Sequence, residues 1–371
     1  MSTPLDSFAK RGFLPAKDPL TQFDPESKFS FLDEVGRDLP SRLFEADFRR
    51  YAELLSIPEW PDEHLSLNTL PELRLYFVRL AFLASAYVNQ VGQPAVSSLP
   101  ANLAVPLTRV ANLLSVPPIL NYAGYALYNW KRFDKTQGVV LGNIDTIQNF
   151  VHLYDEHWFI LIHVEIEAQA SVILAAVETF HAENRNVGTI SEEVINTQLQ
   201  LIAACLAQLL RVLKRIPERM SQDLYFKVFR PYIRFFEKVK FLGVERQPMN
   251  YRGETGAQSS IMPVLVNLLK IEHKQSILVD HLHDIRRHMP PIHRQFIENT
   301  AQLPDLKPYV EPRLFDQVLE LIAQFREVHF EWAKEYIHKH VKDSRGTGGT
   351  PYMHWLKQLI DETRERKHNK G

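Results

Sequence analysis

The sequence predicts an all-α fold, and three observations predict it. Apolar residues recur at spacings of three and four through most long segments, as at Leu314, Val318, Leu321, Ile322, Phe325, Val328, Trp332 and Tyr336, which is one face of a long helix. The apolar–polar alternation of half-buried strands is scarce. Glycine supplies only 14 of 371 residues, about half its usual ~7% share, so its clusters carry information.

In chain order, the same periodicity marks helices at about 41–56, 70–91, 143–182, 190–214 and 257–287, then the long face beginning at Leu314, then 351–366. Proline-rich stretches at 14–25 and 57–72 punctuate the N-terminal third. Glycines gather at Gly253 and Gly256, and again at Gly346, Gly348 and Gly349, marking two loops with unusual backbone freedom. The second runs into Thr350-Pro351, an N-cap followed by proline at the first helical position. It is expected to act as a loop that closes over a site.

An apolar content of 45% in 371 residues can bury one large core or two modest ones. The expected division is a smaller, mainly helical N-terminal domain over 1–148, covering a pocket in a large helical domain over 149–371. Lys plus Arg at 43 against Asp plus Glu at 44 gives a net charge of −1, so no global field favours nucleic acid or an anionic membrane. The one cysteine, Cys205, excludes a disulfide framework and a thiolate metal cluster. The first residues lack a signal-peptide pattern, and no run of ~18 uncharged apolar residues is present. A cytoplasmic protein without membrane or nucleic-acid partners is expected.

The zinc-helix, phosphate-loop, dinucleotide and nucleophile-elbow signatures are all missing, which removes the usual support for hydrolase and nucleotide-enzyme classes. Two ExxH spacings, Glu178 to His181 and Glu335 to His338, match a di-iron bundle. Both sit where helices turn polar, so they are taken as exposed ends. His329 lies on an apolar helix face between Phe325 and Trp332 and is expected to be buried. Its position serves a hydrogen-bonded core histidine, or the proximal ligand of a haem with Arg326, one turn earlier, pairing with a propionate.

Phe159, His163 and Glu167 share a stripe at four-residue spacing. Aromatic and imidazole groups together suit an indole, which stacks and has an N–H to satisfy; a buried His163 to Glu167 pair is the alternative. Phe226 and Arg230, one turn apart, could hold a ring and its carboxylate, or belong to an amphipathic surface helix.

Five short motifs in order give the chain a resemblance to the indoleamine 2,3-dioxygenase family over almost its whole length. They are Arg11-Gly12-Phe13-Leu14-Pro15, Pro117-Pro118-Ile119-Leu120-Asn121-Tyr122-Ala123, Ala257-Gln258-Ser259-Ser260, Met289-Pro290-Pro291-Ile292-His293-Arg294 and Gly346-Thr347-Gly348-Gly349-Thr350. The resemblance implies haem b, with ferrous iron in the active form, and dioxygen as co-substrate. Both oxygen atoms would enter the pyrrole double bond of an indole substrate, giving an N-formylkynurenine-type product. It implies His329 as proximal ligand, Arg326 at a propionate and Arg230 at the substrate carboxylate. Phe159 and Phe226 would flank the indole, Tyr122, Tyr125 and Ala126 would lie at its far edge, Thr255 and Gly256 would form the roof, and Thr347 would sit in the closing loop.

Two departures from vertebrate members stand out. A serine is usual where His163 aligns, and a smaller residue where Tyr125 stands. In His163 the chain is similar to tryptophan 2,3-dioxygenase, which makes this residue a substrate-orienting group, while Tyr125 is expected to shrink the pocket. A related haem oxygenase for a substituted tryptophan, and a non-catalytic haem sensor or carrier, are the alternatives; Arg230 discriminates the second, since a carrier needs no carboxylate fork.

Overall fold

The computed structural model describes residues 8–61, 66, 68–244, 247–274, 277–340 and 353–368. Helices dominate, as the periodicity predicts. The N-terminal part holds α1 (Phe31–Arg42), α2 (Phe48–Leu54), α3 (Leu70–Val88) and α4 (Ala101–Leu114). α3 is buried along nearly its whole length beyond Leu73, as a helix apolar all round must be. Its one deeply buried cation, Arg79, is satisfied by Asp33 at 3.0 Å and Gln148 at 2.5 Å.

The C-terminal part holds α5 (Tyr154–Gln169), α6 (Ser171–Val187), α7 (Glu192–Leu213), the single turn α8 (Gln222–Leu224), α9 (Ile261–Leu268), α10 (Ile277–Arg286), α11 (Pro291–Ala301), α12 (Pro312–Tyr336) and α13 (Met353–Glu365). α12 packs against α7 and α13. Its start is set by Glu311, whose carboxylate accepts from the backbone N–H groups of Arg313 and Leu314, with Pro312 following. α5 and α6 form a stretch, Tyr154–Asn186, long and apolar enough to cross a bilayer by length and composition, yet 67% of its most apolar window is buried inside the fold. That is the pattern of a core helix.

Strands are short. β1 (Ser98–Leu99) pairs in parallel with β4 (Phe236–Phe241), which pairs antiparallel with β5 (Met249–Tyr251), while β2 (Trp130–Arg132) and β3 (Ile144–Thr146) form a separate antiparallel ribbon. The β1–β4 pairing joins segments from either side of residue 148.

Several expected boundaries move. The helix predicted over 143–182 begins at Tyr154, and its first residues are β3 and a loop. Side chains satisfy that loop's backbone instead of a helix doing so: Asn129 accepts from Ile147 and Gln148, and Glu156 from Phe150 and Val151. The span 257–287 is split, since α9 ends at Leu268 and Lys270 takes a left-handed φ of 51°. The span 41–56 reduces to α2, and α4, with Pro106 inside it, had no predicted counterpart. Thr350 and Pro351, the expected cap of α13, lie outside the described residues.

Two π-helices, Ala123–Leu127 and Tyr225–Phe229, both pack on α5. Such wide turns recur at functional sites, and both fall in segments singled out from sequence.

Candidate active site

α5 supplies one wall of an interior cavity. The ring of His163 donates from Nδ1 to the Phe159 carbonyl at 2.7 Å; a carbonyl only accepts, so the proton is on Nδ1 and Nε2 is left bare. Burial holds the imidazole below its ordinary pKa, so it is neutral near pH 7. Phe159 and Tyr122 meet the ring edge-on at 4.7 and 5.9 Å between centroids. A side chain at Gly256 would place its first carbon 4.0 Å from Nε2, so glycine keeps that approach open. The alternative His163 to Glu167 pair does not form, because each group bonds elsewhere.

α12 supplies a second wall. Leu314, Val318, Ile322 and Arg326 are buried along its inner stripe, and His329 continues the cavity side. The expectation of a buried His329 needs correction: its side chain carries substantial accessible surface. Burial nevertheless pushes its imidazole down to about 4, with His163 the second influence. Both facts follow if the accessible surface faces an internal void, and both imidazoles line the same cavity.

That cavity has about 1170 Å³ of empty space, its mouth included. Its lining is mostly apolar, with Leu209, Leu213, Val266, Phe325 and Leu359 among the contributors. Polar groups gather elsewhere on the wall: Arg326, Arg286 and His273. Arg326 donates from Nη1 to the Leu359 carbonyl at 2.6 Å and to Thr363, tying α12 to α13, and burial lowers its pKa to about 10. His273 pairs through Nδ1 with Glu362 at 2.6 Å. The sequence offered no signal for His273 or Arg286, since both reach the cavity from segments 257–287 whose breaks were not foreseen.

Of the residues singled out from sequence, Tyr122, His163, Gly256, Arg326 and His329 line the cavity. Phe159 packs behind His163 and touches Tyr225 and Phe229. Thr255 caps the short helix Gly256–Gln258 through its hydroxyl and is not in the lining. Tyr125 and Ala126 are each 1% exposed and lie in the core; the Tyr125 hydroxyl donates to Glu156 at 3.3 Å, and its ring stacks on Phe82. Tyr125 therefore does not narrow this cavity, contrary to expectation. Arg230, 4% exposed, lies 5.2 Å from the centre of the Phe226 ring, which stacks on His340 at 5.2 Å. This pair is outside the cavity lining, with Phe159 and Phe229 linking it to His163. Thr347 and its glycine neighbours lie outside the described residues.

Among the described residues no three His, Cys, Asp or Glu side chains gather to hold a bare metal ion; of the two ExxH spacings only His338 is exposed, while Glu178, His181 and Glu335 are half-buried and His181, within α6, packs on Phe296. The fold and this site define an all-α protein built around an apolar cavity with two neutral imidazoles in its walls. The chain belongs to the indoleamine 2,3-dioxygenase family, whose model matches residues 6–343. It is therefore an oxidoreductase of the dioxygenase type. It is 29% identical to indoleamine 2,3-dioxygenase 2 of Homo sapiens over 90% of this chain and 93% of that protein. To indoleamine 2,3-dioxygenase of Saccharomyces cerevisiae it is 26% identical, over 95% and 90%. A 6-hydroxytryptophan 2,3-dioxygenase of Fusarium equiseti is 23% identical over 95% of each.

Proposed function

We propose that the chain is a haem-dependent dioxygenase that adds both atoms of O2 across the pyrrole double bond of L-tryptophan or a related indoleamine, giving an N-formylkynurenine-type product. The observation that carries this reading is the pair of neutral imidazoles, His163 and His329, in the wall of one large apolar cavity. The residues present fit haem b. His329 is on a long, well-capped helix, is neutral and has open space before it, as an iron ligand requires; Arg326 and Arg286 supply cations for the propionates. When bound with ferrous iron, haem supplies the oxygen chemistry.

The chain's own groups orient the substrate and exclude water. His163 Nε2 accepts the indole N–H, Phe159 braces His163, and Gly256 leaves room for the ring. Arg230, which lies outside the cavity lining beyond Phe159 and Phe229, takes the carboxylate in this reading, with Phe226 beside it. Thr255 and Thr347 belong to the roof and the closing loop in this reading, Tyr125 and Ala126 to the support behind Tyr122, and the N-terminal residues to about 148 to a smaller domain covering the cavity. A substituted tryptophan is the second reading, supported by the name of the Fusarium relative.

The test is an absorption spectrum of the purified protein, ferric and ferrous, with and without L-tryptophan, followed by product analysis, for wild type and Arg230→Ala. A stranded charge costs ~2 to 5 kcal/mol, or roughly 30- to 5,000-fold in kcat/KM, with haem content normal. Wild-type turnover in Arg230→Ala would move the carboxylate site elsewhere, and haem binding without turnover in wild type would favour a carrier.

A further inference from the structure

Glu167 is fully buried one turn after His163. Its Oε1 accepts two hydrogen bonds, from the Tyr122 hydroxyl at 2.9 Å and the Ser259 hydroxyl at 2.6 Å. Tyr122 and Ser259 come from distant parts of the chain, and both line the cavity beside His163. One carboxyl thus ties two wall residues together from behind. Its second oxygen, Oε2, is buried and has no hydrogen-bond partner among the described residues. From the other side the backbone at Gly12 presses on the Glu167 carbonyl so closely that a side-chain carbon there would lie 1.8 Å from it.

We propose that Glu167 is a pH-sensitive positioning residue: protonated, it fits a closed substrate-side wall with Tyr122 and Ser259 bonded to it, and on ionising its unpartnered Oε2 opens that wall to water or another donor. This rests on the reading of the cavity as the reaction site. A neutral acid keeps its proton on Oε2 and leaves one unpaired O–H there, a smaller cost than an unpaired charge in the same place. A carboxylate at the same place has an oxygen without any donor, and a buried charge so placed is costly. The wall must then shift or admit water.

Burial pushes the carboxyl up to about 7, and the two hydroxyls are the opposing influences, with no cation among the described residues to offset the burial. On α5, His163 is neutral and Glu165 accepts from the Leu141 N–H and Gln169. Tyr122 has its hydroxyl pKa raised well above the usual value, and Glu254, up to about 8, acts on Tyr122. From α7, Cys205 faces the Gln169 carbonyl. From the N-terminal segment, Arg11 is paired with Asp18 at 2.6 Å.

The experiment compares holoenzyme of wild type, Glu167→Gln, Tyr122→Phe and Ser259→Ala from pH 6 to 9, measuring KM and kcat for L-tryptophan, haem content, and the infrared C=O stretch of protonated carboxyls. Wild type should lose affinity above neutral pH, as a rise in KM more than a fall in kcat. Glu167→Gln keeps an acceptor oxygen but cannot ionise, so it should retain at least a third of wild-type kcat/KM at pH 6 and lack the alkaline rise in KM. Removing either hydroxyl donor should move that rise to higher pH, since each bond favours the ionised form. The infrared band absent from Glu167→Gln should disappear from wild type between pH 6 and 8.5. An unchanged alkaline limb in Glu167→Gln, or no titrating band, overturns the proposal. A collapse of kcat at every pH with haem intact overturns it too, making Glu167 a proton donor. If wild type binds haem but does not oxidise tryptophan, the function fails while the infrared titration still decides the state of Glu167.

Discussion

Replacing His163 with alanine removes one acceptor from the cavity, and the structure defines what is lost. Nδ1 is committed to the Phe159 carbonyl at 2.7 Å, so only Nε2 can meet a substrate. One hydrogen bond contributes ~0.5 to 1.5 kcal/mol, or roughly 2- to 13-fold in kcat/KM. Steady-state kinetics with L-tryptophan should show this loss with haem content unchanged. The control is tryptophan methylated on the indole nitrogen, which has no N–H to donate; its kcat/KM should be nearly the same in wild type and His163→Ala. Two results refute the reasoning. Equal losses with both substrates would mean that the ring acts by shape. A fall of 10³-fold or more in kcat with L-tryptophan would mean proton transfer, which is worth ~10² to 10⁴.

Further outcomes follow from burial and close packing. Arg326→Leu should speed haem loss and destabilise the fold by ~1.5 to 3 kcal/mol in urea unfolding, because this 8%-exposed guanidinium bonds into α13; a solvated arginine at the cavity edge would give neither effect. Gly12→Ala should cost ~2 kcal/mol or more, since φ is +60° and the added carbon would meet the Glu167 carbonyl at 1.8 Å; unchanged stability would disprove that contact. His329→Ala should abolish the ferric haem spectrum of wild type, and a retained spectrum with activity would reassign the ligand. Thermal midpoints should peak between about pH 5 and 6.5. Burial lowers His281 and His288 to about 4 and His293 to about 3, so the unfolded chain binds more protons below 6.5 and stability rises with pH up to there. Glu156, Glu167 and Glu254 are raised to about 7, 7 and 8, so the folded chain binds more protons above 4.5 and stability falls as pH climbs toward 8. A midpoint still rising from pH 7 to 8.5 would contradict the buried acids.

The sequence by itself determined the fold class, because helical periodicity is a local property that each segment displays alone. It also marked His163 and His329, whose places on apolar faces are visible without any partner. Five motifs in order gave the family, since order and identity survive where contacts cannot be seen. Other features needed the tertiary structure. Whether His329 is sealed in a core or open to a void depends on the space left between α7, α9 and α12, which no stripe on α12 encodes. His163 and Glu167 look like a pair on one helix, yet the first bonds to its own backbone and the second to Tyr122 and Ser259. Tyr125 reads as a pocket residue until the π-helix turns it into the core against Glu156. Periodicity reports which face of a helix is turned inward, whereas a cavity, a hydrogen-bond partner and a shifted pKa are set by what arrives from elsewhere in the chain.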